Sequence, residues 1–178
     1  MEEQRLIADV IAGDAAAERR LYDAHVDRVF RLAYRMAGDE QLAEDFTQET
    51  FLKAFRYLPR FQGRSALSTW LHAITMSVVI SGLRSRKRRQ EHETPYEDIE
   101  TAGAPGETIN MELRVQLKSA IDGLSTALRA VFILHDIEGY KHREIVDILS
   151  IPEGTSKARL SRAHETLRKN LSPLGRNP

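Results

Sequence analysis

Apolar residues recur at intervals of three and four along almost the whole chain, the spacing of helices with one buried face, and no segment alternates with the period of two that marks a strand. Leu6, Ile7, Val10 and Ile11 predict a short first helix that stops at Gly13. Asp14 opens a long second one through Leu21, Val26, Val29, Phe30, Ala33 and Ala37, ending at Gly38. Asp39 caps a third, with Leu42, Phe46, Phe51, Leu52 and Phe55, which Pro59 stops by removing a backbone donor. A loop over residues 61–64 leads to a fourth helix, starting at Ser65 or Ser68. It runs through Trp70, Leu71, Ile74, Val78 and Leu83 into the basic run at residues 84–89.

The texture then changes. Between residues 91 and 107 Pro95, Gly103, Pro105 and Gly106 interrupt a stretch dominated by acids, with too few apolar residues to pack. Beyond it Leu113, Leu117, Ala120, Ile121 and Leu124 predict one amphipathic helix. Leu128, Val131, Phe132 and His135 predict another ending at Gly139, and Ile145, Ile148 and Leu149 a third. Residues 150–154 form a compact turn, Thr155 is a good cap, and Leu160, Ala163, Leu167 and Leu171 make the buried stripe of a last helix. Two short helices joined by a tight turn suggest helix-turn-helix. The expected fold is all-α: small helical domains at 1–90 and 110–178, the second a helix-turn-helix domain, joined by a flexible acidic linker at 91–109.

With 178 residues, 42% of them hydrophobic, the chain can bury a real core. Its 26 Lys and Arg balance 26 Asp and Glu, so any nucleic-acid surface must be local and not a matter of bulk charge. The lack of cysteine excludes disulfides, thiolate metal sites and cysteine nucleophiles. No apolar run approaches the roughly 20 residues that span a bilayer, and none follows the first residues as a secretory signal would. A cytoplasmic protein without membrane insertion is expected. His-Glu-x-x-His, Glu-x-x-His, Gly-x-Ser-x-Gly and phosphate-loop patterns are all absent, so neither a catalytic role nor a metal or cofactor is expected.

Three segments carry candidate chemistry. In the last helix Leu160, Ala163 and Leu167 point inward, which turns Lys157, Arg159, Ser161, Arg162 and Arg168 outward. That face suits the major groove better than it suits the rival reading, a solvated basic helix end. The cluster at 84–89 lies near Tyr57, Phe61, Trp70 and His72, a pairing of cations and aromatics that holds single strands, although Phe61 and Trp70 also suit a core. The third helix combines Glu40, Glu44, Asp45 and Glu49 with more aromatics than one buried stripe needs, which fits a partner surface or a solvated face.

The run Leu42-Ala43-Glu44-Asp45-Phe46-Thr47-Gln48-Glu49-Thr50-Phe51-Leu52-Lys53-Ala54-Phe55, followed by Phe61-Gln62-Gly63-Arg64 and Ser68-Thr69-Trp70-Leu71, resembles the second domain of bacterial extracytoplasmic-function (ECF) sigma factors. Asp136-Ile137-Glu138-Gly139-Tyr140, Glu144-Ile145, Ile148-Leu149 and the run from Ile151 to Ala163 resemble the fourth domain of that family. The resemblance implies a sigma factor that recruits core RNA polymerase to promoters and helps open them, with promoter DNA and an anti-sigma factor as further partners. It implies polymerase contacts at Leu42, Asp45, Phe46, Gln48, Glu49, Phe51 and Leu52. Minus-ten contacts fall at Phe61, Arg64, Ser65, Trp70, Ser77, Ser81, Arg84 and Arg88, with the loop at 61–67 cradling a flipped base. Minus-thirty-five contacts fall at Thr155, Ser156, Lys157, Arg159, Ser161 and Arg162.

The chain departs from the family at Met76, Ser77 and Ser81, where arginine, asparagine and aspartate are common. Ser150 stands where glycine is frequent and Ser156 where a β-branched apolar residue packs, which implies a looser turn. The rival reading is a stand-alone helix-turn-helix regulator, which leaves the run from Leu42 to Phe55 unexplained.

Overall fold

The computed structural model describes residues 2–92 and 108–171. The elements are α1 (Glu2–Ile11), α2 (Ala15–Ala37), α3 (Glu40–Tyr57), a 3-10 turn (Leu58–Arg60), α4 (Leu67–His92), α5 (Thr108–Asp122), α6 (Thr126–Phe132), a π-helical turn (Ile133–Ile137), α7 (His142–Leu149) and α8 (Glu153–Leu171). Helix reaches His92 and resumes at Thr108, inside both ends of the linker expected at 91–109. The flexibility expected for its middle, 93–107, lies outside the described residues.

Local chemistry sets the boundaries. The Asp14 carboxylate accepts the N–H groups of Ala16 at 2.8 Å and Ala17 at 3.3 Å, and that of Asp39 accepts the Leu42 N–H at 2.8 Å. Gly38 closes α2 in the left-handed conformation at φ 72°. Two expectations fail. Thr155 is not a cap, because α8 already begins at Glu153 and the Pro152 carbonyl accepts the Ser156 N–H at 3.0 Å. The helix expected through His135 changes pitch, the Glu138 N–H reaching back five residues to the Ile133 carbonyl at 2.9 Å.

Leu21, Val29, Phe51, Ala54, Leu67 and Leu71 pack α2, α3 and α4 together with Val10 of α1. Buried hydroxyls in this bundle are satisfied locally: Thr47, Thr50 and Thr75 each donate to the carbonyl four residues back, at 2.7, 2.7 and 2.8 Å. Ala120 and Leu124 pack on Ala163 and Leu167 of α8. The front of the expected α5 stripe stays outside: Leu113 is 56% and Leu117 45% exposed, because only the end of α5 meets that cluster.

The largest core cluster crosses between the halves. Leu32, Met36, Phe46, Met76 and Val79 of the first are continuous with Val131, Leu134, Ile145 and Ile148 of the second. α7 lies on α4, while α6 and the π turn lie on α2. Polar contacts seal the edge: Arg35 pairs with Glu138, and the Arg129 guanidinium donates to the Met36 carbonyl at 2.8 Å. At Gly38 the approach is so close that a Cβ would stand 3.2 Å from the Asp122 carboxylate. Periodicity predicted the apolar faces but not that two of them meet.

Gly82 in α4 lies against the Phe46 ring, and a Cβ there would fall 2.3 Å from a ring carbon. Gly82→Ala should therefore lower unfolding free energy by about 1–3 kcal/mol, despite alanine's better helix propensity. Urea unfolding followed by circular dichroism measures it, and an unchanged midpoint would show that the ring has room. Ser150 holds φ 52° and ψ 47°, a left-handed conformation that costs a residue with a Cβ roughly 1–2 kcal/mol. Ser150→Gly should raise stability by about 1 kcal/mol in the same experiment.

Candidate functional site

The α3 surface divides cleanly. Phe46 and Phe51 are 6% and 3% exposed and belong to the core, so they are withdrawn from the expected contact. Asp45, Gln48 and Glu49 are exposed, Leu42 is half-buried, and Leu52 stands 70% exposed among them. Residues 45, 48, 49 and 52 share one helical face, so the result is an acidic strip with a bare leucine in it. Lys53 pairs with Glu49 at 2.8 Å along the border.

The loop before α4 projects Arg64 and Ser65 into solvent. Phe61 and Trp70 are half-buried and lie 5.1 Å apart, tilted by 50°, so the indole is neither wholly core nor free. Trp70 lines a cleft with Tyr57, Ser77, Asp147, Ile148 and Ser150, the last three from the second half. Ser77, Ser81 and Arg84 are exposed and face α7 across an adjoining cleft. Met76 is fully buried and lies beyond reach of any ligand.

In α8, Lys157, Ser161 and Arg162 are exposed, while Thr155 and Arg159 are half-buried. Lys157 pairs with Glu153 at 2.6 Å, and its hydrogen bond holds that carboxyl below the usual range. Ser156 is the second correction: it is fully buried, and its hydroxyl meets His142 Nδ1 at 2.9 Å. That bond ties the turn together where an apolar side chain was expected, so the turn is not loose for want of one.

Asp136 bridges the π turn to α8, 2.6 Å from His135 Nδ1 and 2.5 Å from His164 Nε2. Burial opposes its ionisation, but the hydrogen bonds from His164 and His135 outweigh this and hold the carboxyl below its ordinary value. Among the described residues no group of three His, Asp or Glu side chains is arranged to hold a metal ion.

Packing of the two halves brings Arg84 and Lys87 of α4 to Arg159 of α8 in a cleft of about 580 Å³ with no acid in its lining. Arg88, one turn on, is exposed. Lys87 and Tyr57 were not singled out as site residues, although the first sits in the basic run and the second beside the loop. His72 and Tyr140 meet between the halves at 2.9 Å, a pairing that neither the aromatic cluster nor the motif containing Tyr140 signalled.

Comparison with known proteins agrees with both halves. Residues 21–89 match the model for sigma-70 region 2, and residues 114–167 that for sigma-70 region 4. The ECF RNA polymerase sigma factor SigW of Bacillus subtilis is 33% identical over 187 residues, covering 96% of this chain and 97% of that protein. SigE of Mycolicibacterium smegmatis, also an ECF RNA polymerase sigma factor, is 37% identical over 167 residues. That match covers 90% of this chain, which spans 65% of SigE's length. Among solved structures, the sigma factor RpoE in complex with the anti-sigma factor NepR from Bartonella quintana shares the fold at TM-score 0.70 and 24% identity. It is matched over 86% of this chain and 96% of that one. CnrH in complex with the cytosolic domain of CnrY shares it at TM-score 0.67 and 22% identity, over 94% of this chain and 96% of that one. With region 2 on α2 to α4, region 4 on α5 to α8, and SigW matched over 97% of its length at 33% identity, the chain belongs to the ECF RNA polymerase sigma factors.

Proposed function

We propose that this sigma factor docks on core RNA polymerase through the exposed strip of α3, reads the minus-ten element with the loop at 61–67 and the outer face of α4, and reads the minus-thirty-five element with α8. It has no catalytic activity of its own and works in the cytoplasm. The observation that carries the reading is the order of the two matched regions on one chain, each with its contact face at the surface. Core binding rests on Asp45, Gln48, Glu49 and Leu52, since a large apolar side chain left 70% exposed within an acidic strip is the composition of a partner surface. Arg64, Ser65 and Trp70 stand where an unstacked base would be received, and Ser77, Ser81, Arg84 and Arg88 along the neighbouring duplex. Lys157, Arg159, Ser161 and Arg162 supply donors for the major groove.

An anti-sigma factor is the regulator we propose, as in the RpoE–NepR complex. Its support here is an apolar groove of about 250 Å³ between α2, α5 and the π turn that no described residue covers, lined by Tyr34, Leu117, Ile121, Ile133 and Ile137. The stand-alone regulator has no use for the α3 strip. Run-off transcription with core polymerase separates the two: promoter-specific initiation that requires this chain supports the sigma reading, and DNA binding without any effect on initiation overturns it.

Charge reversal at Asp45 or Glu49, or Leu52→Glu, should weaken core binding at least tenfold with helicity unchanged, read by circular dichroism and fluorescence titration. Wild-type affinity in all three would move the contact elsewhere. In holoenzyme, Arg162→Ala should cost about 1–3 kcal/mol and relax preference at one upstream base pair. Lys157→Ala should weaken binding nearly uniformly across sequences and lower the salt slope by about one. Promoter binding across single-base variants and salt concentrations measures both, and unchanged slopes and preferences would leave this face a solvated surface.

A further inference from the structure

His72 is a polar residue in the seam between the halves, on the helix whose outer face must be reached by DNA. It is 5% exposed. Its Nδ1 lies 2.9 Å from the Tyr140 hydroxyl, with the rings edge-on at 5.8 Å, and its buried Nε2 has no partner among the described residues. Tyr140 comes from the far half, on the turn that the π segment sets, its N–H held by the Leu134 carbonyl at 2.9 Å. We propose that His72 is a proton-operated catch: neutral, it holds the second half closed over α4 through Tyr140, and protonated, it releases it.

A neutral imidazole has one donor and one acceptor, so the Tyr140 hydroxyl satisfies one nitrogen and a single nitrogen is left without a partner. Adding a proton makes both nitrogens donors and places a charge where Nε2 finds no acceptor. Glu138 of the Tyr140 turn would favour that charge, but it is already paired with Arg35. Arg28 and His25 of α2 oppose it, and the Glu144 carboxylate of α7 accepts the Lys141 N–H at 2.8 Å. Burial is the largest influence and, with Arg28 and His25, sets the ring's affinity for protons below the ordinary histidine value. Parting the halves removes Tyr140 and hydrates the ring, which raises it toward the ordinary value near 6.5 while Arg28 and His25, of its own half, stay beside it.

The closed form therefore binds fewer protons than the open one. Closure is fully favoured above about pH 6.5 and weakens as pH falls, by up to tenfold in the closing constant per unit until the closed-state value is reached. The pair of Asp136 with His135 and His164 lies wholly within the second half and travels with it, so it does not enter this balance. Opening moves α7 away from Ser77, Ser81 and Arg84, which it faces across a cleft in the closed form.

The chain's lack of cysteine permits a direct test on the full protein. Dyes on Glu18→Cys and Glu165→Cys, both at exposed positions, report the separation of the halves by energy transfer between pH 5 and 8. Transfer should fall below about pH 6.5 in the otherwise unaltered chain. In His72→Gln it should be flat over that range. A flat profile in the former, or the same slope in both, overturns the proposal. Should His72→Gln fail to fold, the ring titration of His72 by NMR in the unaltered chain decides: a value below the ordinary histidine value supports the catch, and an ordinary value overturns it. Neither measurement uses polymerase or DNA, so failure here and failure of the promoter reading are distinguishable.

Discussion

Burial of α4 on more than one side organises the molecule. Leu67, Leu71, His72, Thr75, Met76, Val78 and Val79 are all buried, too many for the single stripe of a surface helix. α2 and α3 take one side and α7 takes another. Within that packing Gly82 admits the Phe46 ring, Phe46 is thereby lost to the surface, and the strip of α3 that stays outside is decided. The outer residues of α4, which carry the candidate DNA contacts, take their direction from the same rotation about the helix axis.

Much of this was legible in the sequence because it is local. Asp14 and Asp39 cap the helices they were expected to cap, and the order of helices follows from apolar spacing. What escaped was decided by partners distant along the chain. Nothing at α3 distinguishes Phe46 and Phe51 from Leu52 until α2 and α4 are in place. Ser156 reads as an exposed groove contact until His142, fourteen residues away, takes its hydroxyl. The π turn was missed for a related reason: a change from four- to five-residue hydrogen bonding leaves the apolar pattern intact while swinging Tyr140 toward α4.

The candidate site was legible in outline and not in accessibility. The family resemblance implied DNA contacts at named residues within 61–88 and 155–162, and most of those named side chains do reach solvent. Spacing gave no hint that Arg84 and Arg159 would share one cleft in the closed chain. Balanced net charge bears on that arrangement, because gathering cations between two halves resists closure unless apolar contact outweighs it, and Met76, Ile145 and Ile148 supply such contact.

The close approach at Gly38 has an evolutionary consequence. When a binding face is usable in only a fraction of molecules, apparent affinity falls in proportion to that fraction. A single added carbon at Gly38 would press on Asp122 and strain the left-handed turn that closes α2, shifting the fraction while every recognition residue keeps its identity. Selection could thus set how readily the factor responds, as on a dial, by substitutions at one hinge-side contact, leaving promoter preference and partner choice untouched. Divergence in responsiveness and divergence in specificity would then follow separate mutational routes within one fold.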